Sequence, residues 1–533
     1  MKNRRGLLRR VLSGIKLKAE RKYSGIGQPE EMAEDFSKKL NENIDTITRL
    51  FHQSEDLKIR RFDFPAGTEK KAGSAALVYV DGLADGKILS RDIVEPLMYG
   101  FGGEISEINY RKVDPQMLKS KMLAVGDVRY AKDFEDGIFA CLMGDCIMFL
   151  DGFCGCFIIG ARGYDKRALK PSDTEMSVRG PKESFIENLR TNTALVRRRI
   201  KNTDLCFDNM VVGRQTRTPI SVVYMHNVAD EKLVNEVKRR IRSIDVDSVV
   251  SSGYIEQYIE DEPTSMFSTV GYTERPDVLC AKLLEGRVGI IIDGTPYVLT
   301  APQFFSENFQ TAEDYSSNFI SVTILRLLRY GAFFVSVFAP AIYVALTTFH
   351  QEMIPTSLLL TMSAAREGIP FSAFFEALFM VIVFEILKEA GVRLPQPIGQ
   401  TISIVGALVM GEAAVSAGFV SAPLVIVIAF TAVSGFVVSA FSAPVLILRF
   451  IFLFLGGFMG GYGIAVGALI LFVRLADLES FGHRYMTPIV PFNLSDQKDT
   501  VIRAPLWLMR TRPHSLAKKN RVRENTPVPP DGK

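Results

Sequence analysis

Between Ile398 and Ala440 the chain carries one formal charge, Glu412, in an otherwise apolar or small-residue run. A helix needs about 20 such residues to cross about 30 Å of hydrocarbon, so this stretch alone holds two crossings, Ile398–Gly418 and Val420–Phe441. Two more runs reach that length, Tyr330–Phe349 and Phe450–Val473. A fifth, Phe371–Ala390, carries Glu376, Glu385 and Glu389. It reads either as a span whose polar groups face protein or as an amphipathic helix at the membrane surface. Glu376 and Glu385 are therefore candidates for interfacial or gating roles.

Charge is distributed just as unevenly. Hydrophobic residues make up 47% of the 533 and charged residues 23%, but the charges crowd the part before Tyr330 and the part after Val473. A chain of this length holds more than one domain. The expected fold is an α+β soluble part followed by an α-helical membrane bundle of four or five spans and a polar tail. The first residues are basic but hold no continuous apolar stretch, so no secretory signal is expected. Leu8, Val11, Leu12 and Ile15 could form one face of a basic surface helix, with a disordered arm as the alternative. The tail after Val473 holds eleven Lys and Arg against six Asp and Glu. Both ends are thus expected in the cytoplasm, which favours four spans by parity, although Lys388, Arg393 and Arg449 would sit inside more naturally with five.

A carboxylate facing lipid costs several kcal/mol, so Glu412 needs an explanation. At 100° per residue, Gly399, Ser403, Gly406, Ala407, Gly411, Ala414, Ala417 and Gly418 share one side of the 398–418 helix. That small-residue side admits a closely packed helix. Thr401, Val405, Val409, Glu412 and Ser416 fall opposite. The second face is expected to line water, as rings of Glu and Val do in a cation pore with an apolar constriction. The alternative is a protonated Glu412 bonded to a neighbouring helix. In the last run Gly456/Gly460, Gly457/Gly461 and Gly463/Gly467 have GxxxG spacing, expected to pack helices closely. Pro340 and Pro355 mark kinks or boundaries near the first span.

The soluble half contains a repeat. "ALVYVDGLADGKILSRDIVEPLM" resembles "ISVVYMHNVADEKLVNEVKRRI", each reading as a strand, a polar turn and a helix. "IFACLMGDCIMFLDGFCGCFIIGAR" resembles "VLCAKLLEGRVGIIIDGTPYVLTAPQ", each reading as three strands turning at Gly144 or Gly286 and at Asp151-Gly152 or Asp293-Gly294. Two related α/β subdomains are expected, spanning 43–170 and 206–325. They are flanked by a basic arm (1–42), a basic helical linker (171–205), the bundle (326–475) and the tail (476–533). In the linker, Arg190, Arg197, Arg198 and Arg199 either meet headgroups, phosphate or an acidic partner, or are salt-bridged.

Catalysis is not expected. "GFGG" at 100–103 lacks phosphate-loop spacing, and no nucleophile elbow, zinc-protease or kinase signature occurs. The six cysteines form no CxxC, and only His52 and His226 lie in the soluble half, so neither metal nor cofactor is expected. A net charge of +4 gives no ground for nucleic-acid binding.

Four segments carry a resemblance: "VRGPKESFIENLRTNTALVRRRIK", "ERPDVLCAKLLEGRVGIIIDGTPYVLTAPQFF", "EDYSSNF" and "DQKDTVIRAPLWLMRTRP". They resemble the A subunits of bacterial spore germinant receptors of the GerA type, over roughly residues 50–515. The resemblance implies a multi-pass protein of the inner spore membrane, working with a transporter-like B subunit that binds nutrient and a lipoprotein C subunit. It also implies a ring of A subunits, proposed as pentameric, that opens as a nutrient-gated channel for monovalent cations. A membrane-anchored scaffold and a secondary transporter are the competing readings. The stretch Glu307–Tyr330 is the expected route from the soluble part to the first span.

Overall fold

The computed structural model describes residues 36–65, 72–99, 127–163, 175, 179–393, 410–493 and 495–524. Residues 1–35 of the expected N-terminal arm lie outside the described residues, as do Gly399, Thr401, Val405, Gly406 and Val409, while 36–42 belong to the first subdomain and not to an arm. The chain divides into two compact units, Met1–Asp165 with Lys201–Thr203, and Lys166–Ile200 with Asp204–Lys533.

The first unit opens with α1 (Leu40–Leu50), then β1 (Leu57–Pro65) and β2 (Ala72–Val80). A π-helix over Ile88–Val94 runs into α2 (Glu95–Tyr99). The order closes with β3 (Val128–Ala131), α3 (Phe134–Leu142), β4 (Cys146–Leu150) and β5 (Cys156–Ile159). The strands form one antiparallel sheet in the order β1-β2-β4-β5-β3. Every residue of β4 and β5 is buried, which explains why both read as unbroken apolar runs.

The second unit repeats this plan. It has α4 (Leu189–Arg199), β6 (Leu205–Val212), β7 (Thr218–Met225), α5 (Glu231–Arg242), α6 (Ser252–Ile259), β8 (Gly271–Thr273), α7 (Pro276–Leu284), β9 (Val288–Ile292) and β10 (Val298–Ala301). The sheet order is β6-β7-β9-β10-β8, strand for strand the order of the first sheet. The likeness extends to single hydrogen bonds. Asn43 clamps the backbone N–H and carbonyl of Ser37, and Asn192 does the same at Ile186. Asp151 Oδ1 accepts from Leu40 N, and Asp293 Oδ1 from Leu189 N. The repeat therefore starts earlier than the sequence match, at Phe36 and Phe185, where F-x₃-L-x₂-N recurs.

Two expectations need correction here. The apolar segments before Gly144 and Gly286 were expected as strands; they are the helices α3 and α7. A short buried apolar run does not distinguish strand from helix by its period. Pro276 at the first turn of α7 favours helix, and Gly144 and Gly286, at φ of 96° and 102°, take the left-handed position just past each C-terminus. The basic helix expected in a linker is α4, whose Leu195, Val196 and Ile200 share a core with Phe207, Val223 and Leu279. Arg197 is buried and donates to the Leu205 carbonyl at 2.8 Å, while Arg198 and Arg199 pair with Glu183. Three successive arginines are thus mostly spent inside the fold.

The helical part comprises α8 (Phe319–Thr348), α9 (Thr356–Arg366), α10 (Ala373–Arg393), a short helix at 410–416, α11 (Ala422–Val437) and α12 (Ser442–Asp477). Two described helices are long and apolar enough to cross a membrane, α8 and the run ending at Asp477. The second does not run straight. At Gly460 the backbone takes φ 61° and ψ −146°, outside any helix. A Cβ placed on Gly467 would stand 3.0 Å from Phe452 Cε1, whereas fifteen residues of straight helix span about 22 Å. So α12 is a hairpin of two antiparallel arms, and Phe450–Val473, expected as one span, goes out and returns. Glycine at 460 permits the reversal because an L side chain is strained there.

Gly463 and Gly467 lie against Leu455, Met459 and Phe452 of the first arm, inside the hairpin. Gly456 faces Ala341 of α8, where a Cβ would stand 2.8 Å from the Ala341 oxygen. The first arm runs parallel to α8, from Phe441 beside Phe333 to Gly460 beside Phe349. The helix α10 runs the opposite way, from Phe374 near Phe458 to Glu385 at Arg449. The second arm brings the chain back to the second α/β subdomain, where Arg474 pairs with Glu262. Beyond Leu478 the segment expected as a tail straps across that subdomain. Ser480 Oγ donates to the Thr269 carbonyl, Phe481 joins its core, and Arg512 Nε donates to the Leu284 carbonyl.

Candidate functional site

The second α/β subdomain, the base of α8 and the returning strap meet in a buried ionic cluster. Arg326, fully buried on α8, donates from Nε to Asp314 Oδ2 at 2.9 Å and from Nη1 to Asp499 Oδ1 at 2.8 Å. Arg329, one turn on, reaches the same Asp314 at 2.9 Å and the Phe309 carbonyl at 3.0 Å. Tyr315 Oη donates to Asp499 Oδ2 at 2.7 Å. Two cations and two carboxylates thus close on each other, as burial requires. Asp314 is fixed by its own local turn, where Thr311 Oγ1 donates to its Oδ1 at 3.0 Å.

A second cluster lies in the subdomain itself. Glu307 takes Arg287 at 2.7 Å and Lys282 at 3.2 Å, and Arg287 also holds Glu285 at 2.7 Å. Burial pulls the Lys282 ammonium below its ordinary range and pushes the Glu285 carboxyl up. Around these charges Phe267, Phe305 and Phe309 of the subdomain pack with Phe333 of α8, Phe441 and Tyr485 in one apolar core. Phe309 stacks on Tyr330 with centroids 3.9 Å apart. The stretch Glu307–Tyr330 is therefore welded to both sides it joins.

Within the helical bundle the acidic residues of α10 are paired. Glu385 meets Arg449 of α12, whose Nε donates to the Ser336 carbonyl at 2.9 Å. Glu376, 1% exposed, takes Arg366 of α9 at 3.2 Å and the N–H of Ser421 at 3.0 Å. Both carboxylates bind helices together inside the protein. Arg449, one of the charges that would sit on the cytoplasmic side with five spans, is buried on α12. Of the residues expected to line a pore, Glu412 and Ser416 are described, and both are exposed. Glu412 makes no hydrogen bond or ion pair among the described residues. Gly411 beside it is buried, and a Cβ there would touch Val425 at 3.5 Å. The helix at 410–416 thus turns Gly411 to α11 and Glu412 away from the bundle. No group of His, Cys, Asp and Glu suited to a metal occurs among the described residues.

A family profile described as Bacillus/Clostridium GerA spore germination protein matches residues 45–515. The chain belongs to the GerA family. Among GerA relatives, the Bacillus subtilis spore germination protein KA is 42% identical over 93% of this chain and 90% of its own length. The uncharacterized membrane protein YfkQ of the same organism is 39% identical over 91% and 93%. Spore germination protein GerLA of Bacillus cereus is 37% identical over 84% and 90%. A crystal structure of the N-terminal domain of the A subunit of the Bacillus megaterium spore germinant receptor GerK3 aligns with a TM-score of 0.39, at 32% identity over 51% of this chain and 98% of that one.

In this GerA chain the quoted motifs meet in pairs at two places. Arg275 of the "ERPD" motif donates to the Pro181 carbonyl of "RGPKESF" at 2.9 Å. Asp314 and Tyr315 come from "EDYSSNF", and Asp499 and Arg503 from the "DQKDTVIRAP" motif. The third and fourth segments, far apart in the chain, meet in the cluster at the base of α8, and the first two meet at Arg275 and Pro181. The available signal was Arg326 and Arg329 in apolar surroundings just before the first span, since arginine so placed demands carboxylate partners.

Proposed function

We propose that this GerA chain is a membrane-embedded A-type subunit of a spore germinant receptor, and that copies of it surround a cation-conducting pore gated from the second α/β subdomain. The observation that carries this reading is the Arg326–Asp314–Asp499 cluster, which fastens that subdomain to the first helix of the bundle and to the strap after the last. A mere anchor has no need of such a fastening. The exposed Glu412 supports the pore face, because a carboxylate turned away from its own bundle is stable only toward water or another subunit. The return of the second hairpin arm to the second α/β subdomain, where Arg474 meets Glu262, supports a topology with both soluble parts on the cytoplasmic side of the inner spore membrane. The transporter-like B subunit and the lipoprotein C subunit belong to this reading as partners that deliver the nutrient signal.

Purified protein in liposomes tests it. Monovalent cation flux is expected, and Glu412→Gln is expected to lower it about tenfold while leaving folding unchanged, equivalent to about 1.4 kcal/mol of barrier. Val409→Ala is expected to raise resting leak. Liposomes that hold cations as well as empty ones, with properly folded and inserted protein, favour the scaffold instead.

A further inference from the structure

The helix α8 is about 45 Å long, but the hairpin arms beside it span about 26 Å. The first arm begins at Ser442, next to Phe441 and level with Phe333, and the second ends near Leu475 in the same core. The first turns of α8 therefore form a stalk below the bundle, at the height of Asp314 and Asp499. A bilayer about 30 Å thick that covers the arms leaves most of this stalk outside the hydrocarbon.

Its outer face is nonetheless apolar. Ile320, Ile324, Leu327 and Leu328 are 58%, 55%, 52% and 61% exposed. The only charges from Phe319 to Val335, Arg326 and Arg329, turn inward to Asp314. The pattern on this face is regular. Ile320, Ile324, Leu327, Gly331 and Phe334 follow four-three spacing, the seam of a packed helix pair. Leu325, Leu328, Ala332 and Val335 repeat that spacing one position over, about 100° round the helix; Leu325 and Leu328 are exposed, and Ala332 and Val335 are half-buried, Ala332 against the core of its own chain. One seam serves one neighbouring helix. Two uncharged seams side by side serve two neighbours, which is what each member of a closed ring meets.

We infer that the stalks of neighbouring copies of this chain pack seam against seam, forming a collar of α8 helices between the second α/β subdomains and the bundles. This rests on the oligomeric reading above and assigns its contact surface. A membrane would not explain the depth of the patch, and a partner recognised by charge would find none there.

The test uses the full-length chain with the exposed Cys154 changed to Ser, purified in detergent. Oxidation of the double variant Ile324→Cys/Leu328→Cys is expected to give a cross-linked ladder extending beyond dimers. Each single variant is expected to give no more than dimers. Leu327→Glu, at a position exposed in the single chain, is expected to lose the oligomer in native mass measurements. An oligomeric native mass with no ladder, and a Leu327→Glu variant of unchanged mass, overturns the collar and leaves the oligomer standing. A native mass of one chain overturns both. A photoreactive phospholipid that labels position 324 as strongly as it labels Phe458, on the hairpin, also overturns the collar and assigns the face to lipid.

Discussion

Asp314→Asn isolates the cluster at the base of α8 with almost no change of shape. At an effective dielectric near 20, each contact of about 2.9 Å between unit charges is worth about 6 kcal/mol before desolvation. Asp314 makes two such contacts, with Arg326 and Arg329. Desolvation offsets much of this, and removing one partner of a buried ionic group typically costs about 3–5 kcal/mol because it leaves a charge uncompensated. The wild-type cluster holds two cations and two anions; the variant keeps both arginines against Asp499 alone. We expect a loss of about 3–5 kcal/mol in mixed-micelle denaturation. Trp507, the one tryptophan of the chain, sits on the strap eight residues past Asp499 and gives the fluorescence signal. Adding Arg329→Met should restore charge balance and recover more than half of the loss. If Asp314→Asn unfolds within about 0.5 kcal/mol of wild type, the cluster is not a structural fastening and the coupling argument built on it fails.

Three further outcomes follow from other sites. Gly460→Ala should cost about 1–3 kcal/mol in backbone strain and more from its clash with Phe349 Cβ at 2.9 Å; Gly294→Ala, at φ 86° in open space, gives strain alone, and equal melting shifts for the two would refute the tight turn. Glu385→Gln should destabilise the bundle by about 3–5 kcal/mol, and Arg449→Met in the same chain should return most of it; no recovery would mean the pair is not the cause. Glu256 and Glu260 flank the Ser268 hydroxyl, and burial raises both carboxyls above 4.5. The folded state then binds their protons more tightly than the unfolded state, so their ionisation removes stability as pH rises through 4.5 to the raised values. Glu256→Gln should accordingly raise the melting temperature more at pH 7 than at pH 4.5, and a pH-independent shift would contradict this.

Much of the soluble architecture was legible because the repeat is written twice. Asp151-Gly152 and Asp293-Gly294 mark the same turn, and the strands Ala72–Val80 and Thr218–Met225 precede helices as their patterns suggest. The opening helices α1 and α4 were not seen as part of the repeat, because its signature there is sparse: Phe, Leu and Asn separated by variable surface residues. The edge strands β3 and β8 are three or four residues long and too short to carry a period. In the helical part, hydropathy finds where apolar sequence lies but not where it turns. A single positive-φ glycine reverses α12, and Gly460 sits among five other glycines from Gly456 to Gly467 that remain helical. The pairing of Glu385 with Arg449 was hidden for a different reason: the partners are 64 residues apart, and only tertiary packing brings them together.

The reversal at Gly460 also decides what the C-terminal segment can be. Having come home to the level at which it left, the polypeptide is buttoned to its own outgoing limb, Arg326 to Asp499 across 173 residues. The bundle is in this sense a closed circuit, clasped here and again where Arg474 meets Glu262. Trimming the chain ahead of Asp499 would not shorten a dangling end; it would remove one carboxylate from the clasp and leave Arg326 and Arg329 to share Asp314.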